Sequence, residues 1–353
     1  MKRRVFILIV ISIFFLRIDA QERELFREFK LKKATQVVTT SLYNKIRLID
    51  LRKDTLRVGV IQLGMLNKPF TLILKPSFSF QLAEFINSAT SENTNLKQGE
   101  LVFCLRKLMF SERTAAFTEE GFCAFNADFY EKRDSSYFFI QSIDTVVRVT
   151  GYDVTKALLR SGDSIISKSI LSNLTQHGNR DIALSYNEII YADSIAKHKI
   201  KIYNTTTFTD GVYLTYESFK NQIPDYREVL VDKRKEKIKS VKRSDKNGAI
   251  QKLSYNDMYA LVIDGQPYIA TGFGFYPLKF KNNEFSFIGK LKAPAKGGSI
   301  EPTMLVFGLM GGLIASEIKN SSYFLTIINY KNGEFIRVRE IPFGVDNDQS
   351  SGI

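Results

Sequence analysis

The sequence predicts an α+β protein, with an N-terminal mixed sheet that carries helices on one face and a C-terminal β-rich meander domain that includes a short glycine-rich apolar segment. In the first half, short runs of β-branched and aromatic residues alternate with long amphipathic stretches. In the second half, strand-like runs follow one another across Asp-Gly and Asn-Asn turns. The length suits two cores, so we expect a leader over 1–20 and domains over 21–202 and 203–353.

The leader has the pattern of a signal peptide. Three basic residues at positions 2–4 precede an apolar run over 5–16, and a small residue, Ala20, closes the segment. The apolar run would give about 18 Å of helix, which is too short for a hydrocarbon core of about 30 Å. We therefore expect a processed chain that starts at Gln21, is periplasmic or secreted, and has no membrane-spanning segment after cleavage.

The charge indicates which partners an exported chain would meet. The formal net charge is +13, and it stays positive without the leader. Outside the cytoplasm such a charge favours an anionic envelope surface as partner. Nucleic acid is not expected as a partner, because it is rarely available to an exported protein. Another envelope protein and a second copy of the chain are the other partners left open by the sequence. The simpler interpretation is that the charge serves solubility.

The N-terminal domain begins with two strands and a helix. The strands are LRVGVIQLG (56–64) and PFTLILK (69–75), separated by a turn. The helix is SFSFQLAEFINSA (77–89). Its apolar face consists of Phe78, Leu82 and Phe85.

A hairpin containing both cysteines is predicted next. Two apolar runs around Cys104 and Cys123 are joined by SERTAAFTEEG. If Phe110 lies opposite Phe117, the two cysteines face each other and can form a disulfide in an oxidising compartment. A one-residue slip would place the thiols on opposite faces, so two buried free thiols are the alternative.

The rest of this domain is a strand followed by helices. The strand covers 135–150, and an amphipathic helix with Gly178 as its C-cap covers 153–178. A second helical stretch covers 185–199. Three threonines in IYNTTTFTD (202–210) mark the domain boundary.

The C-terminal domain begins with a strand that leads into a short helix, with Thr215 as N-cap and Pro224 as the limit. The run over 227–246 holds nine basic and four acidic residues. It predicts a strand pair with charged outward faces, for which solvated surface is a simpler role than headgroup binding. A β-meander is predicted over 259–292.

The glycine-rich apolar segment MLVFGLMGGLIASEI covers 304–318. Its twelve leading apolar residues are too few to span a bilayer. Gly308, Gly312 and Ser316 recur every four residues, a spacing that allows close backbone approach. We expect the segment to pack within its own domain, with self-association or shallow membrane insertion as alternatives.

The C-terminal part resembles a group of uncharacterised exported proteins of Bacteroidota. The similarity covers roughly residues 185–340 by order and spacing. It is carried by Gly211, Tyr213, Phe219, Pro224, Asp264, Gly265, Tyr268 and Ile269. The group has no activity to transfer, so the resemblance implies only export and domain layout.

No motif identifies a reaction. The two histidines, His177 and His198, both stand where a helix is predicted to end, so a capping role is expected for each. Their number and spacing predict no metal site, and we expect no cofactor. The SGDSII sequence (161–166) lies inside a predicted helix, where a nucleophilic serine would not be presented. Four acidic residues could pair in space: Glu119, Glu120, Glu188 and Asp193.

These observations favour an exported, non-enzymatic cell-envelope protein that acts by binding or assembly. The first alternative is a hydrolase of envelope polymers that uses two carboxylates brought together by the fold. The second is a purely structural module. Two carboxylates about 5–9 Å apart in a pocket would distinguish the hydrolase.

Overall fold

The computed structural model describes residues 24–64, 66–92, 99–114, 118–234, 237–244, 248–292 and 321–341. The predicted leader and the segment with Gly308, Gly312 and Ser316 lie outside these residues. The α+β class is confirmed. A mixed sheet with helices forms the N-terminal part, and antiparallel sheets form the C-terminal part.

An eight-stranded sheet forms the N-terminal part, in the order β1-β4-β3-β5-β6-β7-β8, with β2 also paired to β5. The strands are β1 (Phe26–Phe29), β2 (Tyr43–Asp50), β3 (Arg57–Leu63), β4 (Lys68–Leu74), β5 (Gly99–Thr114), β6 (Glu119–Arg133), β7 (Ser136–Gly151) and β8 (Ala183–Leu184). β2 and β3 run parallel to β5 along one edge, whereas β6 is antiparallel along the other. β1 and β2 add to the strands that the sequence predicts.

Two long helices cover one face of this sheet. They are α1 (Phe78–Ala89) and α2 (Thr155–Asn173). The predicted apolar face of α1 is confirmed, because its three aromatic and aliphatic residues are buried in the main core. Gly162 lets α2 approach β5 closely, since a Cβ there would lie 2.4 Å from the Phe110 ring. The opposite face of the sheet receives Ile189 from a short later helix.

The predicted C-cap of α2 at Gly178 is wrong. The helix ends at Asn173, and the carbonyl of Leu174 accepts from the N–H of Leu42, so the preceding loop satisfies the helix end. Gly178 instead donates its N–H to Glu131 at 2.9 Å. His177 lies beside the same carboxylate at 3.4 Å and does not cap the helix.

The predicted cysteine hairpin is confirmed, but its register and the disulfide are wrong. Phe110 pairs with Cys123, and Cys104 pairs with Asp128. The cysteines are thus five rungs apart along β6, about 17 Å, and an odd count places them on opposite faces. Both are free and buried. β5 extends to Thr114 and β6 begins at Glu119, so both strands include polar residues that the prediction assigned to the connection. The paired residues therefore differ from the predicted ones.

Short helices lead into the C-terminal part. They are α3 (Tyr186–Ile190), α4 (Ala192–His198), α5 (Lys201–Asn204) and α6 (Tyr216–Lys220). The predicted N-cap at Thr215 is confirmed, since its hydroxyl accepts from the N–H of Ser218 at 3.1 Å. His198 is the last residue of α4, and its Nδ1 lies 2.7 Å from the carbonyl of Ser194, as expected for a capping residue.

Three antiparallel sheets form the C-terminal part. Their strands are β9 (Gly211–Tyr213), β10 (Leu230–Arg234), β11 (Lys237–Ser244), β12 (Ile250–Leu253), β13 (Ala260–Ile263), β14 (Gln266–Thr271), β15 (Gly274–Pro277), β16 (Lys279–Lys281), β17 (Glu284–Lys292), β18 (Ser321–Ile328) and β19 (Phe335–Ile341). The orders are β15-β14-β13-β9, β16-β17-β18-β19 and β10-β11-β12. The predicted meander is confirmed, although it changes sheet between β15 and β16.

The sheet of β9 and β13–β15 is the middle layer. Its strands alternate between two cores, so that Ala260 faces the sheet of β16–β19 while Leu261 faces the sheet of β10–β12. Its Asp264-Gly265 turn has positive φ at both residues, as a tight two-residue hairpin turn requires. The outer sheet β10–β12 therefore has one buried face and one face turned away from the protein.

Candidate functional site

The inner face of the β10–β12 sheet is apolar. One cross-strand row on this face consists of Val231, Val241 and Leu253. These side chains pack in the core between this sheet and the middle sheet. Arg243 continues this face and covers the Tyr226 ring at 4.3 Å from its centroid. Because side chains alternate across a strand, this packing fixes which residues point outward.

The outer face carries lysines with two exposed aliphatic residues. Leu230, Lys242 and Lys252 form one cross-strand row, because each is paired with the next. Ile250 lies two residues from Lys252 on the same face. Leu230 is 59% exposed and Ile250 is 62% exposed. We call this surface, with Arg234 and Lys237 at its tip, the lysine face.

The lysine face has little charge compensation within the part of the chain that the structure describes. Its one acidic residue there is Asp232, which is opposite Ser240. Lys237, Lys242 and Lys252 form no salt bridge with any described carboxylate, whereas the inward-facing Lys233 lies 3.8 Å from Asp264. Unpaired ammonium groups on a solvent-facing sheet create a positive potential that attracts anions.

A second polar cluster joins the two parts of the chain. Arg106 donates from Nε to Asp128 at 2.6 Å and from Nη1 to Asp193 at 3.3 Å. The Tyr330 hydroxyl donates to the other oxygen of Asp193 at 2.8 Å. Burial is the largest single effect and disfavours the charged form of Arg106, but attraction to Asp128, the hydrogen bond to it and attraction to Asp193 together outweigh burial and raise the pKa of the guanidinium. We call these four residues the junction cluster.

Helix α4 extends this junction. Lys197 donates to the carbonyl of Asn283 at 2.9 Å and lies over the Tyr203 and Tyr330 rings at 5.8 and 5.4 Å. Ser194 accepts from the Asn283 side-chain amide at 3.3 Å. One short helix therefore binds the β16–β17 turn and, through Asp193, the N-terminal sheet.

Three of the four predicted carboxylates have separate partners. Glu119 accepts from the N–H of Val154 before α2, at 3.2 Å, while Glu188 forms a capping box with Ser185 in α3. Glu120 pairs with Arg148. The structure thus places Asp193 and Asp128 on the same guanidinium, that of Arg106, and it disperses the other three predicted carboxylates. One oxygen of Asp193 accepts from Arg106 in β5, and the other accepts from Tyr330 in the C-terminal part, so both are occupied by contacts within the protein.

Glu112 is a buried carboxyl group that the sequence does not single out. Its Oε2 accepts from the N–H of Gln62 at 2.7 Å and from the Thr155 hydroxyl at 3.0 Å, which links β3 to the start of α2. Its Oε1 has no hydrogen-bond partner among the described residues. Burial is the largest effect and raises the pKa of Glu112.

The two cysteine thiols are buried and protonated. Burial raises the pKa of both Cys104 and Cys123 to about 12, so each remains a neutral thiol at physiological pH. Among the described residues, no group of three or more His, Cys, Asp and Glu side chains is arranged to hold a metal ion. No described helix has the length and apolar character needed to cross a bilayer.

Comparisons with known proteins give no family. No protein-family model matches the sequence, and no curated protein matches it. One solved structure, described as that of an uncharacterized protein, aligns with 42% of this chain and 99% of its own, at 10% identity and a TM-score of 0.24. A likeness at this score supports no conclusion about fold or function.

The sequence pattern indicates the lysine face in part and the junction cluster hardly at all. The basic run predicts outward charge, but it does not predict that β12 contributes Lys252 and Ile250 to the same face. Arg106 and Tyr330 are 87 and 137 residues from Asp193. No local spacing signals contacts over such separations.

Proposed function

We propose that this chain is an exported, non-enzymatic cell-envelope protein that acts by binding, and that the lysine face contacts an anionic component of the envelope. The leader pattern supports export to the periplasm or the medium. The observation that carries the binding role is the row of Lys242 and Lys252 without a described carboxylate partner. The packing of the opposite, apolar face on the middle sheet determines that these lysines point outward.

Export is tested in the native host. N-terminal sequencing should show Gln21 as the first residue of the mature protein, and fractionation should recover it outside the cytoplasm. An intact Met1 in the cytosolic fraction would remove the basis for an envelope role.

Binding is tested with a soluble polyanion. The processed chain should bind polyphosphate, and Lys242→Gln/Lys252→Gln should weaken this binding about tenfold, because two exposed ionic contacts are lost. Added salt should weaken the wild-type complex as well. The matched control is Lys53→Gln/Lys168→Gln, which removes two exposed lysines of the N-terminal part and should change little. Equal effects of the two pairs would mean that net charge alone attracts the polyanion.

The hydrolase alternative has one observation in its favour, the approach of Asp128 and Asp193. The side chain of Asp128 is 11% exposed and directed at Arg106, while both oxygens of Asp193 accept hydrogen bonds from Arg106 and Tyr330. These contacts leave neither carboxylate turned toward a substrate. We therefore assign Asp128 to compensation of the buried Arg106 charge and Asp193 to attachment of the C-terminal part through Tyr330.

A further inference from the structure

We infer that the anionic partner of the lysine face is a lipid bilayer surface with negatively charged headgroups. This inference rests on the proposed function and narrows it to one class of partner. It follows from the two aliphatic side chains on the face, because charge alone would fit many anionic partners.

The aliphatic side chains are interleaved with the lysines. Leu230 is directly opposite Lys242, and Ile250 is next to Lys252 on the same face. Single exposed apolar residues are ordinary on protein surfaces. Here two of them are about 12 Å apart on one positively charged sheet face, as estimated from strand spacing and rise. A soluble polyanion would contact the ammonium groups and leave both aliphatic side chains in water.

A bilayer interface accommodates both kinds of side chain. Lysines extend along apolar surface and place their charge at the headgroups, while the shorter Leu230 and Ile250 would enter the boundary between headgroups and acyl chains. Each lysine near an anionic leaflet strengthens partitioning about fivefold. The arrangement resembles the interfacial mode of amphipathic helices, here built on a sheet.

A second copy of the chain fits the face less well. In a two-fold contact the same patch meets itself, so the row of Lys242 and Lys252 would be pressed against a surface of the same positive charge. Asp232 is the one described acidic residue on this face that could offset them. Like charges placed opposite one another oppose such an interface.

The experiment uses the processed chain and vesicles of phosphatidylcholine, with or without phosphatidylglycerol. Wild type should sediment with the anionic vesicles and stay free with the neutral ones. Leu230→Ser/Ile250→Ser should lower vesicle binding about 25-fold, since each loses a partly inserted side chain, and should leave polyphosphate binding unchanged. The matched control is Leu56→Ser/Ile182→Ser, at residues 51% and 61% exposed on the N-terminal part.

A direct probe is available because the chain has no tryptophan. Leu230→Trp would place a single fluorophore on the face, and tryptophan favours the membrane interface. Its emission should shift to the blue with anionic vesicles and stay unchanged with polyphosphate. Circular dichroism of each variant checks that it folds.

The outcomes separate the two proposals. If Leu230→Ser/Ile250→Ser binds vesicles as tightly as wild type, the bilayer assignment is overturned and the face is a polyanion site. The same holds if Leu230→Trp binds vesicles without a shift of its tryptophan emission. Loss of a dimer in the serine pair would identify a second copy as the occupant and also overturn it. Absence of binding to both polyphosphate and vesicles would overturn the proposed function itself.

Discussion

The two carboxylates that contact Arg106 should differ in their contribution to stability. We consider Asp128→Asn and Asp193→Asn, which remove one negative charge each and keep the size of the side chain. Arg106 and Asp128 are 14% and 11% exposed and 2.6 Å apart, whereas Asp193 is 53% exposed and 3.3 Å from the guanidinium. The Arg106–Asp128 pair is therefore buried, whereas the Asp193 side of the Arg106–Asp193 pair is half exposed to solvent.

The burial sets the magnitudes. Removing one partner of a buried ion pair costs about 3–5 kcal/mol, because the other charge stays buried without compensation. Asn retains an acceptor, so we expect about 3 kcal/mol for Asp128→Asn. Solvent screens Asp193, and exposed pairs contribute about 1 kcal/mol or less. Asp193→Asn should therefore cost about 1 kcal/mol.

Urea unfolding followed by circular dichroism and tyrosine fluorescence gives both free energies. In the double variant the two costs should not add, since Asp193 is the remaining partner of Arg106 once Asp128 is neutral. Equal costs for the single variants would refute the assignment of Asp128 as the buried partner. Additivity within about 0.5 kcal/mol would show that the carboxylates do not act on the same guanidinium.

Three further results are expected. Gly162→Ala should lower the free energy of unfolding by about 1 kcal/mol. Overpacking against the buried Phe110 ring costs about 1–3 kcal/mol, which exceeds the gain in helix propensity. Ser161→Ala is the control, and a stabilised Gly162→Ala variant would show that α2 has room to move. Glu112→Gln should raise the free energy of unfolding at pH 8, because burial disfavours the ionised carboxylate and raises its pKa in the folded protein. This stabilisation should vanish as the pH falls through that raised pKa to the ordinary value of 4.5, where the carboxyl group is neutral in both states. Stabilisation that persists at pH 4 would have another origin. Cys104 and Cys123 should resist alkylation in the native protein, and both should react after unfolding without reductant. A protein mass lower by two hydrogens would instead show that the disulfide is present.

Local patterns were sufficient for most of the elements. The Asp-Gly pair at 264–265 predicts its hairpin because both residues accept positive φ, and Thr215 predicts the start of α6 because its hydroxyl can cap the helix. The spacing of Phe78, Leu82 and Phe85 predicts the buried face of α1. In each case the physical cause acts within a few residues, where the sequence records it directly.

Contacts between distant segments decided the rest. The register of β5 and β6, which separates Cys104 from Cys123, depends on where the polar ends of the strands find partners, as Glu112 does at Gln62 and Thr155. The end of α2 depends on Leu42, far earlier in the chain. The sequence by itself determined the class, the order of most elements and the positive charge. Only the tertiary structure decided the cysteine register, the junction cluster and the lysine face, because these depend on pairings between residues that no local pattern links.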